Sequence, residues 1–141
     1  MEFTRRETLA IGGAATAAAI LPMPALAEAD ATKALIDEFT GGADVAEGGV
    51  NLDAPEIAEN GNTVPIEVSA EGASAIMVLA DGNPTPPVAT FNFGPLAGAH
   101  RAKTRIRLAG TQDVVAVAKM ADGSFAKTTK TVKVTIGGCG G

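Results

Sequence analysis

The chain has 141 residues and a formal net charge of −5, from 16 Asp and Glu against 11 Lys and Arg. It carries one cysteine, one histidine, no Trp and no Tyr, so neither a zinc site of about four ligands nor a catalytic triad can be assembled within it. The acidic balance and the lack of aromatic stacking platforms also argue against nucleic acid as a partner.

At the N-terminus, Arg5-Arg6 precedes a mildly apolar run rich in Ala and Gly that reaches Leu21, followed by Pro22, Pro24 and Ala25-Leu26-Ala27. This is the order of a bacterial twin-arginine (Tat) export signal, with cleavage expected after Ala27 and the protein expected in the periplasm. A membrane span needs about 20 apolar residues, and this run is shorter and interrupted by Gly12 and Gly13. Three segments follow: a signal, residues 1–27; one domain, residues 28–136; and a C-terminal arm, residues 137–141. The mature chain, about 114 of the 141 residues, has room for a single core. That core is drawn from Val, Ile, Leu, Met, Ala and a few Phe, thin filling whose stability a partner's surface would raise.

In chain order, the first element expected is a short helix over residues 31–40, with Asp30 as N-cap and Gly41-Gly42 as stop. Leu35, Ile36 and Phe39 fall on one face, and a helix this short needs a larger surface to dock on. The period then changes from helical to alternating. Residues 64–70 alternate as a half-buried strand, and Pro65, which cannot donate to a ladder, places the strand at an edge or in an irregular pairing. Residues 75–80 are continuously apolar and end at the turn Asp81-Gly82-Asn83-Pro84. Residues 88–93 place Ala89, Phe91 and Phe93 on one side. In residues 101–108, Arg101, Lys103, Arg105 and Arg107 share one face, with Ala102, Thr104, Ile106 and Leu108 on the other. Residues 114–120 are apolar on both faces. The last strand points Val132, Val134 and Ile136 inward. Six or seven short strands with one small helix favour an all-β, immunoglobulin-like sandwich, with a small barrel as the alternative.

The remaining polar residues suggest little chemistry. The basic face of residues 101–107 suits either an anionic partner or plain solvation. His100, the sole histidine, reads as a rim residue, and Glu56 and Glu59 as solvated.

The tail is different. Cys139 stands between Gly137-Gly138 and Gly140-Gly141, where glycine leaves the backbone free to take φ of either sign. Fully stretched, five residues reach roughly 17 Å, enough to carry the sulfur into a pocket of another protein. An odd cysteine in an exported chain points to intermolecular pairing or a reactive thiol.

The tail, together with residues 55–66 (Pro-Glu-Ile-Ala-Glu-Asn-Gly-Asn-Thr-Val-Pro-Ile), Asn83-Pro84 and residues 104–109 (Thr-Arg-Ile-Arg-Leu-Ala), resembles the SoxY family, the sulfur carriers of periplasmic thiosulfate oxidation. The resemblance implies an immunoglobulin-like sandwich that is not itself an enzyme and holds no cofactor or metal. It implies a heterodimer with a small SoxZ-like β-protein, and Cys139 as the covalent attachment point on an arm of Gly137, Gly138, Gly140 and Gly141. It also implies transient docking to a haem-containing conjugating enzyme, a di-manganese hydrolase that releases sulfate and, in some organisms, a sulfane dehydrogenase. Two other readings remain open: a ubiquitin-like carrier that uses the Gly141 carboxylate, and a structural secreted sandwich.

Overall fold

The computed structural model describes residues 26–138. Its helix, α1 (Leu26–Thr40), begins earlier than the sequence suggested. Leu26, Ala27, Glu28 and Ala29 are strong helix formers and carry the helix back past Asp30, which therefore lies inside α1 instead of capping it. The C-terminal end is as expected. Gly41 takes φ 65°, and the Gly42 amide donates to the Asp37 carbonyl at 3.0 Å, the six-to-one bond of a Schellman cap.

Nine strands follow among the described residues: β1 (Val45–Glu47), β2 (Asn51–Asp53), β3 (Ile57–Asn60), β4 (Val64–Ser69), β5 (Ala73–Ala80), β6 (Pro87–Asn92), β7 (Arg101–Ile106), β8 (Gln112–Met120) and β9 (Phe125–Ile136). They form two sheets, as the sandwich expectation requires. The larger has the order β1-β9-β8-β5-β6, with β3 added alongside the far end of β9; the smaller is β2-β4-β7. Between them lies a core that includes Leu52, Val64, Val68, Ile76, Val78, Ile106, Leu108, Val114, Ala116 and Val132.

The two-sided apolar character of β5 and β8 has a direct cause. Their other face carries Met77, Leu79, Val115 and Val117, and α1 covers it with Leu35, Ile36 and Phe39. Phe39 meets Phe125 edge to face, with ring centroids 6.0 Å apart. The helix thus docks on its own sheet, where fully burying each such side chain is worth about 1.5–3 kcal/mol.

Two details refine the expected strands. Pro65 sits in β4, the middle strand of the smaller sheet, but β2 pairs only with residues 67–69 of it. At Pro65, paired with Arg105 of β7, the other flank bears no strand, so the missing N–H costs no ladder bond. In β6, Leu79 pairs with Pro87 and Val78 with Ala89, which leaves Val88 as the extra residue of a bulge. This shift lets Val88 pack on the core beside Phe91 and Phe93.

Candidate functional site at the C-terminal end of β9

Strand β9 outlasts its neighbour β8. Pairing with β8 ends at Gln112 and Val132, and from Lys133 to Ile136 the strand runs parallel to β3 instead. The expected inward face fails at its last position. Val132 is fully buried, but Ile136 is 65% exposed, because it lies beyond the end of the sandwich.

What secures this overhang is main-chain hydrogen bonding on both flanks. On one side, the Lys133 amide donates to Glu56 O at 2.9 Å, and the Gly61 amide donates to Ile136 O at 2.7 Å. On the other, the Val134 amide donates to Thr111 Oγ1 at 3.0 Å, and the Gly138 amide donates to Leu108 O at 2.8 Å. The Leu108 amide closes the circuit by donating to Gly61 O at 2.8 Å. Three segments far apart in sequence therefore meet at Gly61, Leu108 and Gly138.

Such a meeting needs backbones closer than side chains allow. A Cβ on Gly61 would collide with Leu108 O and lie 2.8 Å from the Gly138 nitrogen, and one on Gly137 would collide with Ala109 O. A Cβ on Gly138 would stand 2.9 Å from Gly61 O. Glycine at these positions is a condition of the contact.

Behind the contact, the segment 107–112 is held by a buried pair of amide side chains. Asn83 donates through Nδ2 to Arg107 O at 2.8 Å, and its Oδ1 accepts from the Ala109 amide at 2.9 Å and from Gln112 Nε2 at 2.8 Å. Gln112 in turn donates to Gly110 O at 3.1 Å and accepts at Oε1 from the Gly82 amide at 2.9 Å. Asn83 is 2% exposed and Gln112 8%. Buried amides are tolerable only when paired in this way, and the pairing fixes the loop that receives Gly138.

Of the expected site residues, Gly137 and Gly138 lie at this junction, and Ala27 lies in α1. Arg5, Arg6, Ala25, Cys139, Gly140 and Gly141 fall outside the described residues. The basic face is real: Arg101, Lys103, Arg105 and Arg107 are all exposed. Arg101 and Lys103 approach Glu67 at 3.9 Å and 3.8 Å, whereas Arg105 and Arg107 have no carboxylate partner among the described residues. His100 lies elsewhere, at the turn between β4 and β5. Its Nδ1 accepts from the Gly72 amide at 3.2 Å, and its ring meets Phe93 edge to face. A cleft between α1 and the larger sheet, lined by Thr32, Asp37, Asp81, Asp113 and Lys127, shares no residue with the junction. Among the described residues, no group of three or more His, Cys, Asp or Glu could hold a metal ion.

Gly61, Asn83, Leu108 and Gln112 were not expected as site residues. Asn83-Pro84 reads as part of a turn and Gly61 only as part of the stretch that carries the resemblance, and nothing in their spacing ties them to the tail. The available cue was a glycine within a strand-rich stretch, which signals close backbone approach. Asn60-Gly61, Asn83 and residues 107–109 belong to the stretches that carry the family resemblance, and the structure brings them together at the base of the tail.

A family model described as "Sulfur oxidation protein SoxY" matches residues 36–139. The structure of the sulfur carrier protein SoxY from Chlorobium limicola f thiosulfatophilum superposes with a TM-score of 0.67 at 32% identity, covering 77% of this chain and 99% of that one. A superoxide reductase (neelaredoxin) from Ignicoccus hospitalis is similar at TM-score 0.54 and 17% identity, over 62% of this chain and 80% of its own. A hypothetical protein from Pyrococcus horikoshii is similar at TM-score 0.51 and 12% identity, over 67% and 96%. The last two share the fold alone. No curated protein sequence matches the chain.

Proposed function

The chain belongs to the SoxY family of sulfur oxidation proteins, and we propose that it is a covalent carrier of thiosulfate oxidation. Cys139 holds the thiosulfate-derived intermediates and presents them to partner enzymes. The protein works as a heterodimer with a SoxZ-like β-protein, after Tat export to the periplasm. The observation that carries this reading is the family match itself, which extends over the whole sandwich and through Cys139. The junction supports it, since it fixes the end of β9 and holds the chain as far as Gly138, one residue before that cysteine.

The chemistry belongs to the sulfur, and the enzymes that act on it supply the rest. The Cys139 thiolate is the nucleophilic form. Oxidative conjugation forms one S–S bond between Cys139 and the outer sulfur of thiosulfate. The thiol proton is released, and two electrons pass to a haem-containing partner. A sulfate-releasing hydrolase then adds water across the S–SO₃ bond. Sulfate and one proton leave, and a persulfide, S–SH, remains on Cys139. The carrier contributes position and reach, and needs no base of its own.

Intact-mass analysis of the protein from thiosulfate-grown cells tests this. Loaded protein gains roughly 80 or 112 Da on the C-terminal peptide, for sulfonate or thiosulfonate on the thiol. A bare thiol, or glutathione alone, under those conditions counts against the proposal. One residue added after Gly141 separates it from a carboxylate carrier: cysteine loading survives the extension, whereas thiocarboxylate chemistry does not.

A further inference from the structure

A five-residue arm starting at Gly137 would hang from Ile136, but the hydrogen bonds run two residues further. Gly61 grips Ile136 O, Leu108 grips Gly61 O, and Gly138 reaches Leu108 O, at 2.7, 2.8 and 2.8 Å. Gly138 is buried, unlike Ile136 and Gly137 before it. We infer that Gly61 and Leu108 form a main-chain clamp on Gly138 that sets the point from which the thiol-bearing segment leaves the body, with Asn83 and Gln112 as positioning residues that hold the Leu108 side of the clamp.

The inference rests on the carrier reading for its consequence. With the clamp closed, Cys139 is the first residue beyond the fixed point. Releasing Gly137 and Gly138 would add two residue lengths, about 7 Å of reach. A closed clamp also orders those two residues before any partner is met. Their conformational entropy is then already lost and no longer opposes docking. The clamp therefore trades reach for a thiol presented from a defined place next to Leu108. Its four glycine-dependent approaches explain why bulk is excluded from Gly61 in the body as well as from the tail.

The test uses the full mature protein in its native complex, with Gly137→Ala as the variant. That residue is outside the core, but its Cβ would collide with Ala109 O, so it opens the clamp from the tail side. In the wild type, the Gly138 amide should exchange at least about 100-fold more slowly than in an unstructured peptide. In Gly137→Ala that protection should fall at least about ten-fold, and a nitroxide on Cys139 should give a narrower spectrum. The thermal midpoint should not move. Loading by the conjugating enzyme should show a KM raised about ten-fold at unchanged kcat. An unprotected Gly138 amide in the wild type, an unchanged nitroxide spectrum or an unchanged KM overturns the clamp. If wild-type protein takes up no thiosulfate-derived adduct at all, the carrier reading fails, and exchange and nitroxide mobility still decide the clamp.

Discussion

Asn83 and Gln112 face each other in the protein interior, joined by a hydrogen bond of 2.8 Å between their side-chain amides. Each also satisfies the main chain of the loop that meets the end of β9. Replacing Asn83 with Leu leaves the Arg107 carbonyl and the Ala109 amide without partners, and an unsatisfied buried group costs about 1–3 kcal/mol. Chemical denaturation should show Asn83→Leu less stable by about 2–4 kcal/mol. In a double-mutant cycle with Gln112→Leu, the two losses should fall short of additive by about 1 kcal/mol. Strict additivity would mean that the pair does not act as a unit.

The helix is held by a few side chains. Phe39 packs on the face formed by Met77, Leu79, Val115 and Val117 and meets Phe125 edge to face. Phe39→Ala should cost about 2 kcal/mol, less than a fully buried Phe because the ring is partly exposed. Amide exchange in α1 should quicken before exchange in β8 does. Exchange that quickens equally in both elements would show that the helix does not open as a separate unit.

Cys139→Ser changes one atom beyond the last described residue of the sandwich. Thiosulfate-dependent loading should be abolished, while unfolding free energy should change by no more than about 0.5 kcal/mol. Residual adduct on the variant, found by peptide mapping, would place the attachment elsewhere.

Asp122 marks the tight turn between β8 and β9. Its carboxylate accepts from the Ser124 hydroxyl at 2.6 Å and the Ser124 amide at 2.9 Å, which holds the carboxyl below its usual range. A carboxylate whose folded-state pKa is depressed stabilises above its unfolded pKa, and loses that contribution as pH falls through the folded value. Asp122→Ala should therefore be less stable than the wild type near neutral pH. The gap should close in acid, as urea midpoints at about pH 7 and about pH 2.5 would show. A gap that persists in acid would assign the effect to turn geometry instead of charge.

Much of this fold was legible because its cues are local. Alternation in residues 101–108 placed Ile106 and Leu108 inside and the four cations outside, and both assignments hold. The helix stop at Gly41-Gly42 is equally local, since a left-handed residue after the last turn calls for glycine. Where such cues met stronger neighbours they misplaced a boundary. Asp30 resembled a cap, but the helix formers before it continued the helix. Ile136 continued an inward pattern that ran out of sandwich to face.

By itself the sequence determined the class of fold and singled out a lone thiol among glycines: alternating strands, an amphipathic helix and the tail are each written within a few residues. Only the tertiary structure decided how the chain is held as far as Gly138, the residue before that thiol. The junction of Gly61, Leu108 and Gly138, backed by Asn83 and Gln112, joins segments separated by dozens of residues through main-chain bonds and buried amides. Such bonds carry no periodicity and no residue signature, because every backbone can make them once the fold brings the partners within reach.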